Sequence, residues 1–80
     1  MDEDKFVYEK NLASMDIYTG RYSNCNNFVF SKNGEKYIWT KQGREVPCHF
    51  EEKCEYILRY KLLRKHENHT SIGYVKILNK

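Results

Sequence analysis

Aromatic and cationic side chains are interleaved along two segments of this 80-residue chain. Single-stranded nucleic acid is held by this combination of residue types, because cations neutralise phosphates while aromatic faces stack on bases. Each stacked base contributes roughly 1–3 kcal/mol. The candidate binding residues are Tyr22, Tyr37, Trp39, Lys41, Arg59, Lys61, Arg64 and Lys65. A chain this short also needs large apolar side chains for its core, so burial is the alternative for each aromatic residue.

The charge is unevenly distributed along the sequence. Residues 56–66 contain four Lys and Arg side chains and no acid, whereas residues 1–10 contain four acids and two lysines. The formal net charge of the whole chain is +3. Such asymmetry favours an acidic partner, which the four cations Arg59, Lys61, Arg64 and Lys65 would contact through phosphates. A solvated basic face with no partner is the alternative.

Cysteine and histidine side chains form a second group that could bind a metal, since zinc in structural sites takes four such ligands. The members are Cys48, His49, Cys54, His66 and His69. Five residues separate Cys48 from Cys54, which exceeds the roughly two to four usual between paired cysteines. We therefore predict no metal site and no cofactor. Adjacent residues on a strand point to opposite faces, so Cys48 and His49 do not form a catalytic pair. No catalytic triad, phosphate loop or carboxylate pair stands out, and no enzymatic activity is predicted.

The cysteine count bears on the compartment. Three cysteines, Cys25, Cys48 and Cys54, are an odd number and do not suit a disulfide-stapled secreted domain. No apolar segment resembles a signal peptide or reaches the roughly 20 residues of a membrane helix. We predict a cytoplasmic protein with reduced thiols and no membrane partner.

β-Strands are predicted to position the candidate binding residues. Asn33-Gly34 lies between two aromatic segments and is a strong signal for a hairpin, which places Phe28 with Phe30, and Tyr37 with Trp39, on shared faces. A second hairpin is predicted over residues 56–78. Its first strand is expected to bury alternate residues in the core, namely Tyr56, Leu58, Tyr60 and Leu62.

Other segments are ambiguous. Phe6 begins a plausible strand, and residues 11–19 either continue it as a long bent strand or form a short helical turn. Residues 49–55 predict a single helical turn or an irregular connector. Residues 51–65 also fit a helix in length, although several are poor helix formers and favour a strand. We expect a frayed acidic terminus over residues 1–5 and one small β-barrel domain over residues 6–80, because closure removes exposed sheet edges.

The order of these elements resembles small OB-fold domains found in replication-associated proteins of phages and mobile elements. The resemblance covers roughly residues 18–78. It is carried by Gly20-Arg-Tyr22, by Phe28-Val-Phe-Ser-Lys-Asn-Gly-Glu-Lys-Tyr-Ile-Trp-Thr40, and by the Tyr56–Leu78 hairpin with its Lys-His-rich turn. The resemblance implies a mainly β, five-stranded OB-like barrel. It also implies binding of single-stranded nucleic acid, DNA in preference to RNA, across the second and third strands and their flanking loops.

The sequence departs from the OB pattern in two places. Gly20 is the only glycine available for a barrel corner, and residues 46–54 are short for the helix that often precedes the fourth strand. An SH3-like barrel, or an open α+β sheet with one short helix, is therefore the alternative fold. The alternative function is a small phage or mobile-element module that inhibits or recruits a host protein through the same aromatic surface. Exposure of Trp39 would favour nucleic acid, whereas a flat apolar patch would favour a protein partner.

Overall fold

The chain forms a closed five-stranded β-barrel. The structure is a computed structural model that describes residues 1–43 and 49–79, and no helix occurs within these ranges. The strands are β1 (Asp2–Asn11), β2 (Cys25–Lys32), β3 (Glu35–Gln42), β4 (Glu55–Lys65) and β5 (Thr70–Ile77). Their order around the barrel is β1-β2-β3-β5-β4, with β3 and β5 parallel and the other neighbours antiparallel. The predicted mainly β, OB-like barrel is confirmed.

Both predicted hairpins are present. Asn33 and Gly34 have positive φ angles of 52° and 79°, the conformation that a two-residue turn of type I′ requires. Across this turn, Phe28 faces Trp39 and Phe30 faces Tyr37, so the two aromatic pairs lie on one face of the β2–β3 ladder. The Asn-Gly dipeptide therefore sets the register that brings four aromatic rings into the barrel.

The acidic start of the chain is part of the barrel, and its prediction as a frayed terminus was wrong. Residues 2–7 pair with β4, and Asp2 lies opposite Tyr60. Glu3 forms an ion pair with Arg59 at 2.8 Å, and Asp4 forms one with Lys32 at 3.1 Å. These acids lie beside cations of β4 and β2, and the pairing of β1 with β4 closes the barrel.

β1 bends without the glycine corners that the OB pattern uses. A register shift between Tyr8 and Lys10 marks a bulge in its pairing with β2. Bulges bend a strand and increase its twist, so the first part of β1 can pair with β4 and its second part with β2. The strand ends at Asn11, and the ambiguous segment beyond it forms turns without a helix.

Aromatic rings fill the barrel. Phe6, Phe28 and Phe30 are essentially inaccessible to solvent. Phe50, from the connector between β3 and β4, packs against four rings with centroid distances of 5.0–5.3 Å, those of Tyr8, Phe28, Phe30 and Tyr56. The described part of this connector, residues 49–54, is irregular and contains a turn at residues 52–53. A single ring therefore fills the interior at the point where the OB pattern often has a helix.

Candidate nucleic-acid interface

The end of β4 projects from the barrel as an exposed basic segment. Register shifts against β5 occur between Arg59 and Lys61 and again between Leu62 and Arg64. All five residues from Lys61 to Lys65 are exposed. Leu62 was predicted to lie in the core with Tyr56, Leu58 and Tyr60, but 52% of it is exposed. The prediction extended strict alternation through two irregularities, whereas each bulge alters the direction of the side chains that follow.

Tyr74 lies on this surface and was missed by the sequence prediction. It is 70% exposed, and its φ is +53°, a conformation that bulky residues rarely adopt. The Nζ atom of Lys61 lies over its ring, 5.7 Å from the centroid. In the sequence, Gly73 was the residue that could have indicated the irregular backbone at Tyr74, because a lone glycine inside a strand pattern indicates a bulge or a close approach of another group. A Cβ atom at Gly73 would lie 2.8 Å from Cδ1 of Leu63, so the Leu63 side chain lies across this glycine.

The basic residues of the second hairpin differ in their pairing. Arg59 donates hydrogen bonds to the Glu3 carboxylate from both Nε and Nη2. The Glu3 carboxylate therefore partly neutralises the charge of Arg59 at the barrel surface. Within residues 1–43 and 49–79, no ion pair joins an acid to the remaining cations of the hairpin, which are Lys61, Arg64, Lys65 and Lys76. Three of the predicted cations, Lys61, Arg64 and Lys65, lie in the exposed last five residues of β4, whereas Arg59 is paired with Glu3.

Tyr37 and Trp39 belong to the core, so the expectation that their exposed rings stack bases was wrong. They are 8% and 9% exposed. The Trp39 ring packs against Phe28 with a centroid distance of 5.1 Å, and Tyr37 packs against Phe6 at the same distance. Burial is also the main cause of the raised pKa of the Tyr37 phenol. A barrel of this size has few other large apolar residues, and the pairing across Asn33-Gly34 turns both rings inward.

The β1–β2 loop, residues 12–24, covers part of the outer face of β2 and β3. The side chain of Asn27 is fully buried, and its Nδ2 donates to the carbonyl oxygens of Leu12 and Met15, each at 2.7 Å. The Asn27 Oδ1 accepts from the Thr40 hydroxyl, also at 2.7 Å. The loop and the two strands line an open depression of about 150 Å³. In OB domains the face of strands 2 and 3 binds oligonucleotides, but here this loop occupies part of it.

The last two predicted residues lie near this loop. Tyr22, in the loop itself, is 72% exposed and forms an isolated bridge with Met15. Lys41, near the end of β3, is half-buried and pairs with Asn26 of β2. Their roles in binding remain predictions.

The β1–β2 loop also contacts the β4–β5 loop, residues 66–69. The Tyr18 phenol shares a hydrogen bond of 2.8 Å with the Ser71 hydroxyl. Its oxygen lies 3.5 Å from Nε2 of His66 and 3.3 Å from Nε2 of His69. Burial, and to a smaller extent the neighbouring His66, lowers the pKa of His69. The neutral imidazole is thereby favoured.

The set of zinc ligands considered from the sequence does not assemble in the described residues. Cys48 lies outside them, and the Cys54 thiol contacts the Glu51 carboxylate at 3.5 Å. Within the described residues, neither Cys25 nor Cys54 forms a disulfide. No group of three or more His, Cys, Asp or Glu side chains placed to hold a metal occurs in the part of the chain that the structure describes.

Comparisons of the chain with known protein families, with curated proteins and with solved structures found no match. Nor does the described part of the chain contain a helix of the length and apolar character needed to cross a membrane. Functional inference therefore depends on the surface chemistry of the barrel.

Proposed function

We propose that this barrel binds single-stranded nucleic acid, without strong sequence preference, on the outer surface of the β4–β5 hairpin. The observation that carries the proposal is the run of exposed cations at the end of β4, Lys61, Arg64 and Lys65, with the Nζ atom of Lys61 lying over the exposed ring of Tyr74. These cations would contact phosphates, and Tyr74 takes over the stacking role first assigned to Tyr37 and Trp39. Bases of any type offer a face for stacking, so such a surface tolerates many sequences.

The backbone at Tyr74 supports this assignment. A non-glycine residue in the left-handed region costs on the order of 1–3 kcal/mol and persists only where the surroundings hold it in place. The strain does not serve core packing, because most of the ring is in solvent. It presents an aromatic side chain on the basic surface, and bulges at functional sites often redirect side chains in this way.

Salt dependence provides a quantitative expectation. Each phosphate contact on single-stranded DNA contributes about −0.7 to the slope of log affinity against log salt concentration. Three contacts, from Lys61, Arg64 and Lys65, give a slope of about −2. Affinity should then fall about 20-fold between 50 and 200 mM NaCl, taking the same relation across a fourfold change in salt.

The test is a fluorescence anisotropy titration of a labelled single-stranded oligothymidylate at both salt concentrations. The double variant Lys61→Gln/Lys65→Gln is expected to bind more weakly and to reduce the magnitude of the slope by about 1.4. The matched control is Lys5→Gln/Lys10→Gln, which removes the same charge from β1 and should retain the wild-type slope. Equal effects of the two double variants, or affinity that is independent of salt, would refute the proposal. Oligouridylate and duplex DNA, titrated in parallel, test the preference for single-stranded DNA.

A protein partner is the second candidate, and the burial of Trp39 removes the observation that was expected to favour nucleic acid over it. Leu62 and Leu63 are 52% and 54% exposed, and with Tyr74 they give the hairpin an apolar component beside its cations. Tyr and Arg are common in interfaces that bind strongly. Under this alternative, the hairpin would recognise an acidic protein surface. Labelled oligonucleotides would then fail to bind at 50 mM NaCl, and Leu63→Asp would abolish capture of the host partner.

The resemblance to OB domains of phage and mobile-element replication proteins is compatible with either candidate. The strand order supports the architecture that the resemblance implied. The source of the protein, its compartment and its place in replication remain predictions, and fold alone does not assign function.

A further inference from the structure

We propose that a surface depression beside the basic end of β4 binds one nucleobase with an exocyclic amino group, and that the Glu35 carboxylate selects this base. The inference rests on the proposed function and deepens it, because it names the base that the same surface prefers at one position. The depression has a volume of about 310 Å³. Its lining includes Glu35, Tyr37, Leu62, Arg64, Lys65 and Thr70.

The depression lies between the start of β3 and the end of β4. Thr70, the first residue of β5, pairs with Lys65 on one side and with Tyr37 on the other, so it joins the two walls. Leu62 and Leu63 contribute half-exposed apolar side chains to the lining. Sites for drug-sized ligands occupy about 300–1,000 Å³, so this volume suits a single base. A planar ring placed here would remove part of the leucine surface from water.

The presence of an acid in this basic lining points to a base edge. Glu35 is exposed and lines the depression together with Arg64 and Lys65. Among residues 1–43 and 49–79, it forms no ion pair. A carboxylate repels a phosphate group, so contacts to the nucleic-acid backbone do not account for Glu35. Carboxylates do accept hydrogen bonds from the amino groups of bases, with N4 of cytosine as the usual donor.

The structure holds the Glu35 carboxylate in place. The Tyr37 hydroxyl donates to its Oε2 atom at 3.3 Å. The Tyr37 ring is buried against Phe6, so the position of this donor is fixed by the core. Glu35 also pairs with Lys32 directly after the Asn-Gly turn, which sets its place on β3. An ionised carboxylate has about four lone-pair positions, so the phenol leaves others for a base, and an oriented acceptor costs less entropy on binding.

The chemistry of the bases determines which of them fits. Cytosine and adenine each carry an amino group, which donates to a carboxylate. Thymine and uracil have a carbonyl oxygen at the position of the cytosine amino group, and the Glu35 carboxylate would repel it. The Thr70 hydroxyl, also in the lining, is a donor for the acceptor atoms of a cytosine ring. The depression therefore favours cytosine among the pyrimidines.

This base position is separate from the Tyr74 ring. Lys61 pairs with Gly73, next to Tyr74, whereas Lys65 pairs with Thr70 at the depression. The step from Lys61 to Lys65 measures at most about 13 Å, at about 3.3 Å per residue of strand. A single strand that follows the cations would thus place one base on Tyr74 and a different base in the depression. Stacking tolerates any base at the first position, and the preference arises at the second.

The test compares two labelled octanucleotides, oligodeoxycytidylate and oligodeoxyuridylate, by fluorescence anisotropy at pH 7.5 and 50 mM NaCl. Eight nucleotides fall within the range of about 4–16 that one OB domain covers. Wild type is expected to bind the cytidylate about 5-fold more tightly, the lower end of the discrimination that a base contact provides. Glu35→Gln should bring the two affinities together, because its amide accepts from an amino group and also donates to a carbonyl oxygen.

Glu67→Gln is the matched control. Glu67 is an exposed acid of the β4–β5 loop that lines a neighbouring depression, also beside Lys65, so this variant removes the same charge close to the same cation. It should retain the wild-type ratio of affinities. Equal binding of the two octanucleotides by wild type, or the same ratio in Glu35→Gln and Glu67→Gln, would overturn this inference and leave the proposed function standing. Failure of both octanucleotides to bind would overturn the proposed function and this inference with it. Circular dichroism melts verify that both variants fold.

Discussion

Replacing Tyr74 with asparagine should weaken oligonucleotide binding while leaving the free energy of unfolding almost unchanged. Tyr74 is held at φ +53° and is mostly exposed. Asparagine adopts the left-handed conformation more readily than other non-glycine residues, because its short polar side chain bonds locally. The substitution should therefore relieve backbone strain while it removes the aromatic face. Few substitutions of an aromatic residue in so small a barrel would spare the core in this way.

The expected change in stability is small because two effects oppose each other. Relief of the left-handed penalty gains about 1 kcal/mol. Loss of the contact between Lys61 and the Tyr74 ring costs about 0.5–1 kcal/mol at an exposed site. The free energy of unfolding should thus stay within about 0.5 kcal/mol of wild type, the difference of these two magnitudes. Loss of one stacked base costs roughly 1–3 kcal/mol of binding, or about 5- to 150-fold in affinity.

Urea denaturation followed by circular dichroism measures the first quantity, and anisotropy with labelled oligothymidylate measures the second. Tyr74→Phe is the conservative control, since it keeps the ring and the backbone strain and should bind as wild type. The reasoning fails if Tyr74→Asn retains wild-type affinity, or if Tyr74→Phe loses as much as Tyr74→Asn. A loss of several kcal/mol of stability in Tyr74→Asn would refute the account of the strained backbone.

Three other predictions concern the barrel itself. Trp39→Ala should lower the free energy of unfolding by about 3–5 kcal/mol, as expected for a buried aromatic ring. Trp39→Phe should bind oligonucleotide normally. A binding defect in either variant with unchanged stability in urea would contradict the assignment of Trp39 to the core. Asp4→Asn should make the free energy of unfolding less dependent on pH in acid. The hydrogen bond from Tyr60 and the charge of Lys32 lower the pKa of Asp4 in the folded protein. The ionised carboxylate therefore stabilises the wild type above the ordinary pKa of Asp, and this stabilisation is lost as the pH falls through the lowered pKa. Urea midpoints between pH 5 and pH 2 measure this, and identical curves for variant and wild type would exclude it. Asn27→Ala should cost about 1–3 kcal/mol by leaving the Leu12 and Met15 carbonyl groups without their partner, and should speed tryptic cleavage at Arg21, with Asn68→Ala as the control that leaves cleavage unchanged.

Local patterns in the sequence predicted the barrel well. Asn33-Gly34 specified a turn that only positive φ values at both positions allow, and the alternating aromatic residues on either side followed from it. The hairpin from Tyr56 to Leu78 was predicted equally well, because buried and less buried residues alternate along β4 as far as Tyr60. These features depend on neighbours in sequence, and sequence patterns record such neighbours directly.

Apart from Leu62, which the bulges of β4 turn outward, the errors concern interactions between distant segments. Glu3 and Arg59 are 56 residues apart, so nothing local indicated that the acidic start would pair with the basic strand. The same holds for Tyr18, which meets Ser71 across 53 residues. Whether Trp39 faced the core or solvent depended on which face of the hairpin the other strands covered. Periodicity assigns two faces to a strand but does not say which of them is buried.

The parallel ladder between β3 and β5 is the shortest strand pairing in the barrel. Its register runs from Tyr37 and Thr70 to Trp39 and Ile72, whereas β2 and β3 pair along their whole length. Local opening takes place where few backbone hydrogen bonds must break together. Native-state fluctuations should therefore open the barrel between β3 and β5. Amide protons of this ladder should exchange with solvent sooner than those of the β2–β3 ladder. Since Tyr18 hydrogen-bonds to Ser71, which pairs with Ile38 in the same ladder, we expect the β1–β2 loop to slow this local opening.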